Sequence, residues 1–537
     1  MTESPDGTGR VGQGAALVAA GIFLSRIFGL IRTRFQTTLL GNTIVADAFA
    51  LALRLPNFLQ NLLGEGALSA SFIPAYSGLL ARGENEQAGK LAGAVFSFLA
   101  LLTSAIVLGG VLLAPTIVWI FTQGWKPEDR EVAVGLARIM FPGTGLLVLS
   151  AWCLSVLNSH RRFLLPYAAP VVWNIAIIAM MIYSASRGGS MGEIALFAAI
   201  GAVIGSALQF LIQLPTVIKA VPHLKLGLRR DEETKAVISR FGPAVTARGS
   251  VQLSGYVDIW MVNILTFDGR TAVLSYAQTL FQLPISLFGA SVSAAELPDI
   301  SEGGDVAVVA GGETPRGIEL RRRLGIASRR ALFFVLPSAV ALAFFGDLIV
   351  ALLWKDGLFG DREVMATWIV LIGFALGLVP ATAGRIVATS FFAMRDTKTP
   401  MGFALARIAV GAFLSASFLF FLPRFLNPAL FAENPLFRVA GLSLGGSIAF
   451  WLEYALLYNA FEQRVGPPEP RPGYMPKLLS CVFLATVAGF GARFALAGPS
   501  ELLQELGVIA AFGIVYLATA ALLGISELTS LVRQFRR

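Results

Sequence analysis

The chain has 537 residues, of which 55% are hydrophobic and only 14% are charged, and its mean hydropathy is +0.71. This composition excludes a water-soluble domain and predicts an integral membrane protein. A net charge of +9 would suit a nucleic-acid-binding protein, but the basic residues collect in alternate loops, as the positive-inside rule describes for membrane proteins. We therefore expect no nucleic-acid partner and place both termini in the cytoplasm.

Apolar runs of about twenty residues, each long enough to cross a hydrocarbon core of roughly 30 Å, recur about fourteen times. The alternation typical of a membrane barrel is not seen, so the predicted fold class is an all-α polytopic membrane protein. The predicted spans lie near residues 15–37, 47–80, 90–121, 133–157, 165–187, 193–218, 240–265, 271–298, 326–353, 365–390, 401–423, 437–459, 476–496 and 503–527.

The spans group into two pseudo-symmetric six-helix bundles followed by two further helices. A weak internal repeat supports this grouping, because "SASFIPAYS" at Ser69 to Ser77 aligns with "SAAELPDIS" at Ser293 to Ser301. Duplicated bundles are a common plan among transporters. The predicted segments are a cytoplasmic N-terminal tail 1–14, an N-terminal lobe 15–220, a cytoplasmic linker 221–239, a C-terminal lobe 240–460, a cytoplasmic loop 461–475, two extra helices 476–527 and a basic cytoplasmic tail 528–537.

Polar residues interrupt the first two spans. Span one contains Ser25, Arg26 and Arg32 within "LSRIFGLIRTRF". In span two, a helical wheel places five polar side chains on one stripe about 80° wide, namely Asp47, Arg54, Asn57, Asn61 and Glu65. A charge facing lipid costs roughly 2.5 to 3.5 kcal/mol, so these side chains are expected to face water or one another.

Span two also contains helix-disturbing residues, Pro56 and the Gly64/Gly66 pair. These predict a bent or locally unwound helix, which is tolerated at membrane depth where it lines a cavity or packs on protein.

Three deep arginines with few carboxylates, Arg26, Arg32 and Arg54, predict a cavity that binds an anion. The planar guanidinium favours phosphate, because it forms two parallel charge-assisted hydrogen bonds. The alternative is an internal ion pair of Arg54 with Asp47 or Glu65 that only fastens helices together.

The second half carries fewer charges inside its spans. Candidate residues are Arg248 and Asp258 in span seven, Gln278 and Gln282 in span eight, and Arg385 in span ten. Each suits a helix-packing contact as well as a ligand contact. The two cysteines and two histidines form no constellation for catalysis or metal binding, so we expect no catalytic residue and no metal site.

Several motifs in order along the chain resemble those of one transporter family. They are "LSRIFGLIRTRF", "ADAFALALRLPNFLQNLLGEGALSASFIPAYS", "LNSHRRFLLPYAAPVVWNI", "FGPAV", "LPSAVAL" and "MRDTKTP". The sequence is similar to the lipid II flippase family (MurJ, formerly MviN) of the multidrug/oligosaccharidyl-lipid/polysaccharide exporter superfamily. The resemblance implies a fourteen-span bacterial inner-membrane protein that moves undecaprenyl-diphosphate-linked peptidoglycan precursor from the cytoplasmic to the periplasmic leaflet by alternating access, for cell wall biogenesis and cell shape.

The resemblance also implies roles for individual residues. Arg26, Arg32 and Arg54 match basic residues that hold the diphosphate, whereas Asp47 and Glu65 match acidic residues in gating and cavity shape. Asn57 lies in the "LPN" turn, and Ser25, Asn61, Gln278 and Gln282 belong to the same cavity. Relatives usually have two arginines where this chain has Gln60 and Asn61, and charged residues where it has Gln278, Thr279 and Gln282.

These departures leave alternatives open. The expected cargo is lipid II, and the alternative is another polyprenyl-diphosphate-linked glycan, such as a related undecaprenyl-diphosphate-linked one. A second hypothesis is an ion-coupled small-molecule exporter of the same superfamily, and a third is a scaffold that recruits partners through the basic loop from Ser301 to Arg330. We expect no cofactor and no covalent chemistry, with coupling to the membrane potential or to a monovalent ion left open. The expected partners are the lipid-linked glycan, membrane lipids and the cell-wall synthesis machinery.

Overall fold

The structure is a computed structural model, which describes residues 6–229, 231–263, 270–286, 315–394, 396, 398–425, 428–468, 472–498 and 500–528. These residues form helices joined by short turns, and no sheet occurs among them. The predicted all-α fold class is therefore confirmed. Contacts divide the chain into two compact units, Met1–Ala272 and Val273–Arg537.

The first unit is a bundle in which α5 packs against α2, α4 and α7. Its core is apolar and includes Phe72, Tyr76, Leu99 and Trp152. The helices are α1 (Asp6–Leu40), α2 (Ile44–Leu59), a π-helical segment (Gln60–Gly66), α3 (Ala67–Ala81), α4 (Asn85–Phe121), α5 (Pro127–Ser159), α6 (Leu164–Ser186), α7 (Met191–Ala220) and α8 (Glu232–Asn263). Helix α9 (Arg270–Pro284) begins in this unit and continues into the second.

The second unit is built around α14, which packs against α11 and α12. The approach of α14 to α11 is close, because a Cβ on Gly377 would lie 2.4 Å from the Ser447 hydroxyl oxygen, and Ser447 donates a hydrogen bond to the Gly373 carbonyl at 2.6 Å. The elements are α10 (Pro315–Trp354), α11 (Asp361–Ala393), α12 (Lys398–Phe425), α13 (Pro428–Glu433), a 3₁₀ helix (Pro435–Val439), α14 (Ala440–Val465), α15 (Tyr474–Ala495) and α16 (Glu501–Leu522).

The last two helices, α15 and α16, pack on each other and on α10. A separate apolar core joins them and includes Phe333, Phe345 and Cys481. Arg493 on α15 also pairs with Asp347 on α10 at 2.6 Å. The two extra helices therefore belong to the second unit.

Ten helices within the described residues are long and apolar enough to cross a membrane. They correspond to predicted spans three to six and nine to fourteen, so the chain is a multi-pass membrane protein. The other four predicted spans fall on α1, on the run from α2 to α3, on α8 and, for the described part of span eight, on α9. They carry the candidate site residues other than Arg385. The count of fourteen stays a prediction.

The expected segments stay predictions, and the structure gives helix and unit bounds near some of them. Helix α1 begins at Asp6, inside the expected tail 1–14, and the first unit runs past the expected linker 221–239 to Ala272. The lobe boundaries themselves stay predictions. The expected loop 301–330 is wrong from Pro315 onward, where α10 begins.

Ion pairs within this basic stretch are compatible with its helical conformation. Glu319 pairs with Arg322 at 2.8 Å and with Arg323 at 2.6 Å, at the spacings of three and four residues that bring side chains together on a helix. The remainder of that loop and the second copy of the repeat, residues 293–301, lie outside the described residues.

Candidate functional site

Most of the polar residues predicted in spans one, two and seven lie on three helices of the first unit. Helix α1 carries Ser25, Arg26 and Arg32, helix α2 carries Asp47, Arg54 and Asn57, and helix α8 carries Asp258. Arg26 is exposed, Asp47 is fully buried, and the other five are half-buried. The seven side chains thus lie in three different environments.

Asp47 contacts the start of α9 rather than a surface open to solvent. Its Oδ1 accepts a hydrogen bond from the backbone N–H of Ala272 at 2.7 Å. Next to this contact, the Thr271 hydroxyl donates to Asn263 Oδ1 at 2.6 Å. A carboxylate is stabilised at a helix N-terminus by the exposed N–H groups and the helix dipole. The geometry gives Asp47 a role in holding this turn, while its part in gating stays a prediction.

Arg54 lies beside α8. The Tyr256 hydroxyl donates a hydrogen bond to the Arg54 carbonyl oxygen at 2.8 Å, and the Arg54 guanidinium interacts electrostatically with Asp258. Asp258 was a separate candidate in the sequence, and the structure brings it to Arg54. Part of the Arg54 charge is therefore balanced within the first unit.

Arg32 has a different neighbourhood. Its guanidinium carbon lies 5.2 Å from the centroid of the Trp173 ring on α6. Its Nε is buried and has no hydrogen-bond partner. Across the part of the chain that the structure describes, no carboxylate lies within ion-pair distance of Arg32. Arg32 is thus a half-buried cation that an aromatic ring contacts and no described anion neutralises.

The expected irregularity in span two is a π-helical segment, Gln60–Gly66. The segment packs closely on α5 at Gly64, where a Cβ would lie 2.8 Å from the Ala151 Cβ. Short π-helical segments are often found at functional sites. The segment changes the angular step after Leu59, so the predicted stripe applies to Asp47, Arg54 and Asn57 but not beyond. Asn61 is exposed, and the Glu65 side chain lies outside the described residues.

The candidates of the second half are more dispersed. Gln278 is half-buried and Gln282 is exposed on α9, and Arg385 is exposed on α11. The side chain of Arg248 on α8 lies outside the described residues.

One charged pair escaped the sequence analysis. Arg407 on α12 and Glu453 on α14 form an ion pair at 2.8 Å, with side chains only 10% and 18% exposed, and Arg385 interacts electrostatically with Glu453. The signal was present, because each residue is a lone charge inside an apolar run. Which two of these lone charges are partners depends on helix packing.

Comparison with known proteins decides the family. The model of the family described as "MurJ: Lipid II flippase MurJ" matches residues 37–523. The chain belongs to the lipid II flippase MurJ family. The lipid II flippase MurJ of Burkholderia cenocepacia is 31% identical over 488 residues, which cover 88% of each chain. The probable lipid II flippase MurJ of Rhizobium meliloti is 28% identical over 547 residues, which cover 97% of this chain and 96% of the relative.

Solved structures agree on the fold. A MurJ structure in an inward closed conformation superposes with a TM-score of 0.75 and 24% identity, covering 97% of this chain and all of that one. An inward-facing multidrug resistance MATE family transporter of the MOP superfamily gives a TM-score of 0.64 at 14% identity, covering 83% of this chain and 98% of its own. The chain thus shares the fold of these two proteins.

Proposed function

We propose that this protein translocates lipid II from the cytoplasmic to the periplasmic leaflet of the bacterial inner membrane, with both termini in the cytoplasm. It acts as a transporter without covalent chemistry, in peptidoglycan biosynthesis. The observation that carries the proposal is Arg32, a half-buried guanidinium with no described carboxylate beside it, in a chain of the MurJ family. Such a charge inside a membrane protein marks a place for an anionic ligand.

The described charges of this group support an anionic head group. Arg26, Arg32 and Arg54 carry three positive charges, and Asp47 and Asp258 carry two negative charges. Asp258 lies near Arg54, whereas Arg26 on α1 is exposed. Arg32, which has no carboxylate neighbour in the described part of the chain, is therefore the first side chain that we assign to the diphosphate, and Arg26 and Arg54 complete the proposed site.

Alternating access requires that the ligand bind one state more tightly than the other, since equal affinity shifts no equilibrium. The diphosphate on the arginines of the first unit provides that difference when the cavity closes over the head group. The membrane potential favours outward movement of the anion, because one charge is worth about 2.3 kcal/mol per 100 mV. We propose this as the driving force, with coupling to a monovalent ion as its alternative.

A second cargo is favoured by the neutral residues at positions where relatives have charges. Asn61 and Gln282 are both exposed and offer amide groups rather than charges. Amides donate and accept hydrogen bonds and so suit sugar hydroxyls. Another undecaprenyl-diphosphate-linked glycan is therefore the alternative substrate.

Lipid binding to the purified protein tests the proposal. Native mass spectrometry would compare lipid II, undecaprenyl diphosphate and the neutral lipid undecaprenol for the wild type and for Arg26→Ala and Arg32→Ala. We expect preferential binding of lipid II, weakened about 10- to 100-fold by Arg32→Ala, because a charge-assisted hydrogen bond is worth about 1.5 to 3 kcal/mol.

The matched control is Arg187→Ala. Arg187 also lies over an aromatic ring, that of Tyr183 at 4.7 Å, but it follows the end of α6 and belongs to no predicted site. We expect its replacement to leave lipid II binding unchanged. Equal, weak binding of all three lipids by the wild type would refute the proposed substrate, and stronger binding of a different lipid-linked diphosphate would favour the alternative cargo.

A further inference from the structure

Trp173 occupies a tightly defined position between α6 and α7. Its indole N–H donates a hydrogen bond to the Ala202 carbonyl at 3.0 Å, and its side chain is only 9% exposed. Gly205, one turn beyond Ala202, allows this approach, because a Cβ there would lie 2.9 Å from the Trp173 carbonyl oxygen and 3.0 Å from its Cδ1. The ring is therefore held from both its polar edge and its side.

The face of this fixed ring contacts Arg32. The guanidinium carbon lies 5.2 Å from the ring centroid, within the distance at which a cation is attracted by an aromatic face. The two residues are far apart in sequence and lie on α1 and α6, which pack against each other. The contact restricts the rotamers of the long Arg32 side chain before any ligand arrives.

An aromatic partner differs from a carboxylate partner in one respect that matters for an anionic ligand. A carboxylate would neutralise the guanidinium and compete with phosphate for its N–H groups. The ring carries no net charge, so the N–H groups at the guanidinium edge stay able to donate to phosphate. Orientation without neutralisation also lowers the entropy lost on binding.

We propose that Trp173 is a positioning residue that holds Arg32 for the diphosphate head group while leaving its positive charge available. This inference rests on the proposed function in that it takes the Arg32 ligand to be a lipid-linked diphosphate. It adds a residue that the sequence analysis did not select. It also explains how a half-buried arginine is retained where the described part of the first unit places no carboxylate beside it.

The second unit contains a tryptophan in the same structural setting, which serves as a control. Trp368 donates its indole N–H to the Ala343 carbonyl at 3.0 Å. Gly346, again three residues after the acceptor, would place a Cβ 2.6 Å from the Trp368 Cδ1. Within the part of the chain that the structure describes, no arginine or lysine lies over the Trp368 ring. Trp368 thus shares the hydrogen bond and the glycine contact of Trp173 but lacks the cation.

The experiment measures lipid affinity and melting temperature for Trp173→Leu, Trp173→Phe and Trp368→Leu, with lipid II, undecaprenyl diphosphate and undecaprenol as probes. We expect Trp173→Leu to weaken binding of both diphosphates about tenfold, the order given by a desolvated cation–π contact. Trp173→Phe should recover much of that loss, because phenylalanine keeps an aromatic face. Trp368→Leu should lower the melting temperature like Trp173→Leu and leave diphosphate affinity at the wild-type value.

A double variant, Arg32→Ala with Trp173→Leu, separates this inference from the proposed function. We expect it to bind diphosphate no more weakly than Arg32→Ala alone, because the tryptophan acts through the arginine. Additive losses, or equal losses for undecaprenol, would overturn the inference. If the wild type showed no preference for lipid II but the same non-additivity appeared with undecaprenyl diphosphate, the proposed function would fail and the role of Trp173 would stand.

Discussion

The ion pair between Arg407 and Glu453 offers a test of the packing of the second unit. The two charged groups are 2.8 Å apart, and their side chains are 10% and 18% exposed, so solvent screens them little. Arg407 also lies over the Phe450 ring at 4.8 Å. Replacing Arg407 by leucine leaves the Glu453 carboxylate buried without its main partner, and breaking a buried pair in this way typically costs about 3 to 5 kcal/mol.

We therefore expect Arg407→Leu to lower the melting temperature of the detergent-solubilised protein by about 10 °C. Replacing both partners, in Arg407→Leu with Glu453→Leu, should restore the melting temperature to near the wild-type value, because no uncompensated charge remains. The melting temperatures of the single and double variants come from one thermal-denaturation assay, in which the soluble, monodisperse protein that remains after heating is quantified.

The control is Arg322→Leu, which removes a partner of Glu319 in a pair whose side chains are 52% and 40% exposed. Exposed pairs contribute little to stability, so no measurable shift is expected. The reasoning would be refuted if Arg407→Leu melted like this control, or if the double variant were less stable than either single variant.

Two further predictions concern a loop and a close helix contact. Asp396 accepts hydrogen bonds from the Thr399 hydroxyl and amide and pairs with Arg464, and these contacts hold the pKa of its carboxyl well below the ordinary value. This stabilisation is present above the unfolded pKa of about 3.9, and it is lost as the pH falls from there toward the lower folded pKa. Asp396→Asn should therefore lower the melting temperature between pH 5 and 8 and differ less from the wild type below about pH 4. A difference in melting temperature that stays constant at all pH values would argue against this origin. Gly64→Ala should impair both stability and rescue of a flippase-depleted strain, because the new Cβ would lie 2.8 Å from the Ala151 Cβ. The control, Gly78→Ala, should be tolerated, because the nearest atom to its new Cβ is the end of the Arg82 side chain at 3.7 Å. Full rescue with an unchanged melting temperature for Gly64→Ala would show that the π-helical segment can shift away from α5.

Much of the architecture can be predicted from the sequence because the hydrophobic thickness of a membrane imposes a length and a composition on each span. The ten helices that qualify as spans coincide with ten predicted ones. The arginines on α1 and α2 were also selected from sequence alone, since a charge inside an apolar run is unusual wherever its helix packs.

Which residues contact these arginines could be learned only from the tertiary structure. Trp173 lies 5.2 Å from Arg32 although α2 to α5 separate their helices along the chain, and Asp258 reaches Arg54 from α8. A hydropathy pattern tells how deep a residue lies in the membrane and which face of its helix it occupies, but not which helix packs beside it.

The π-helical segment shows the same division at the level of the backbone. Pro56, Gly64 and Gly66 indicated a disturbed helix, but only the structure shows a π-helical segment that packs closely on Ala151 of α5 at Gly64. The sequence alone thus determined a multi-pass helical membrane protein and selected the arginines of its first predicted spans. The tertiary structure decided which of those arginines has a carboxylate neighbour and which has an aromatic one, because that choice depends on contacts between helices distant in the chain.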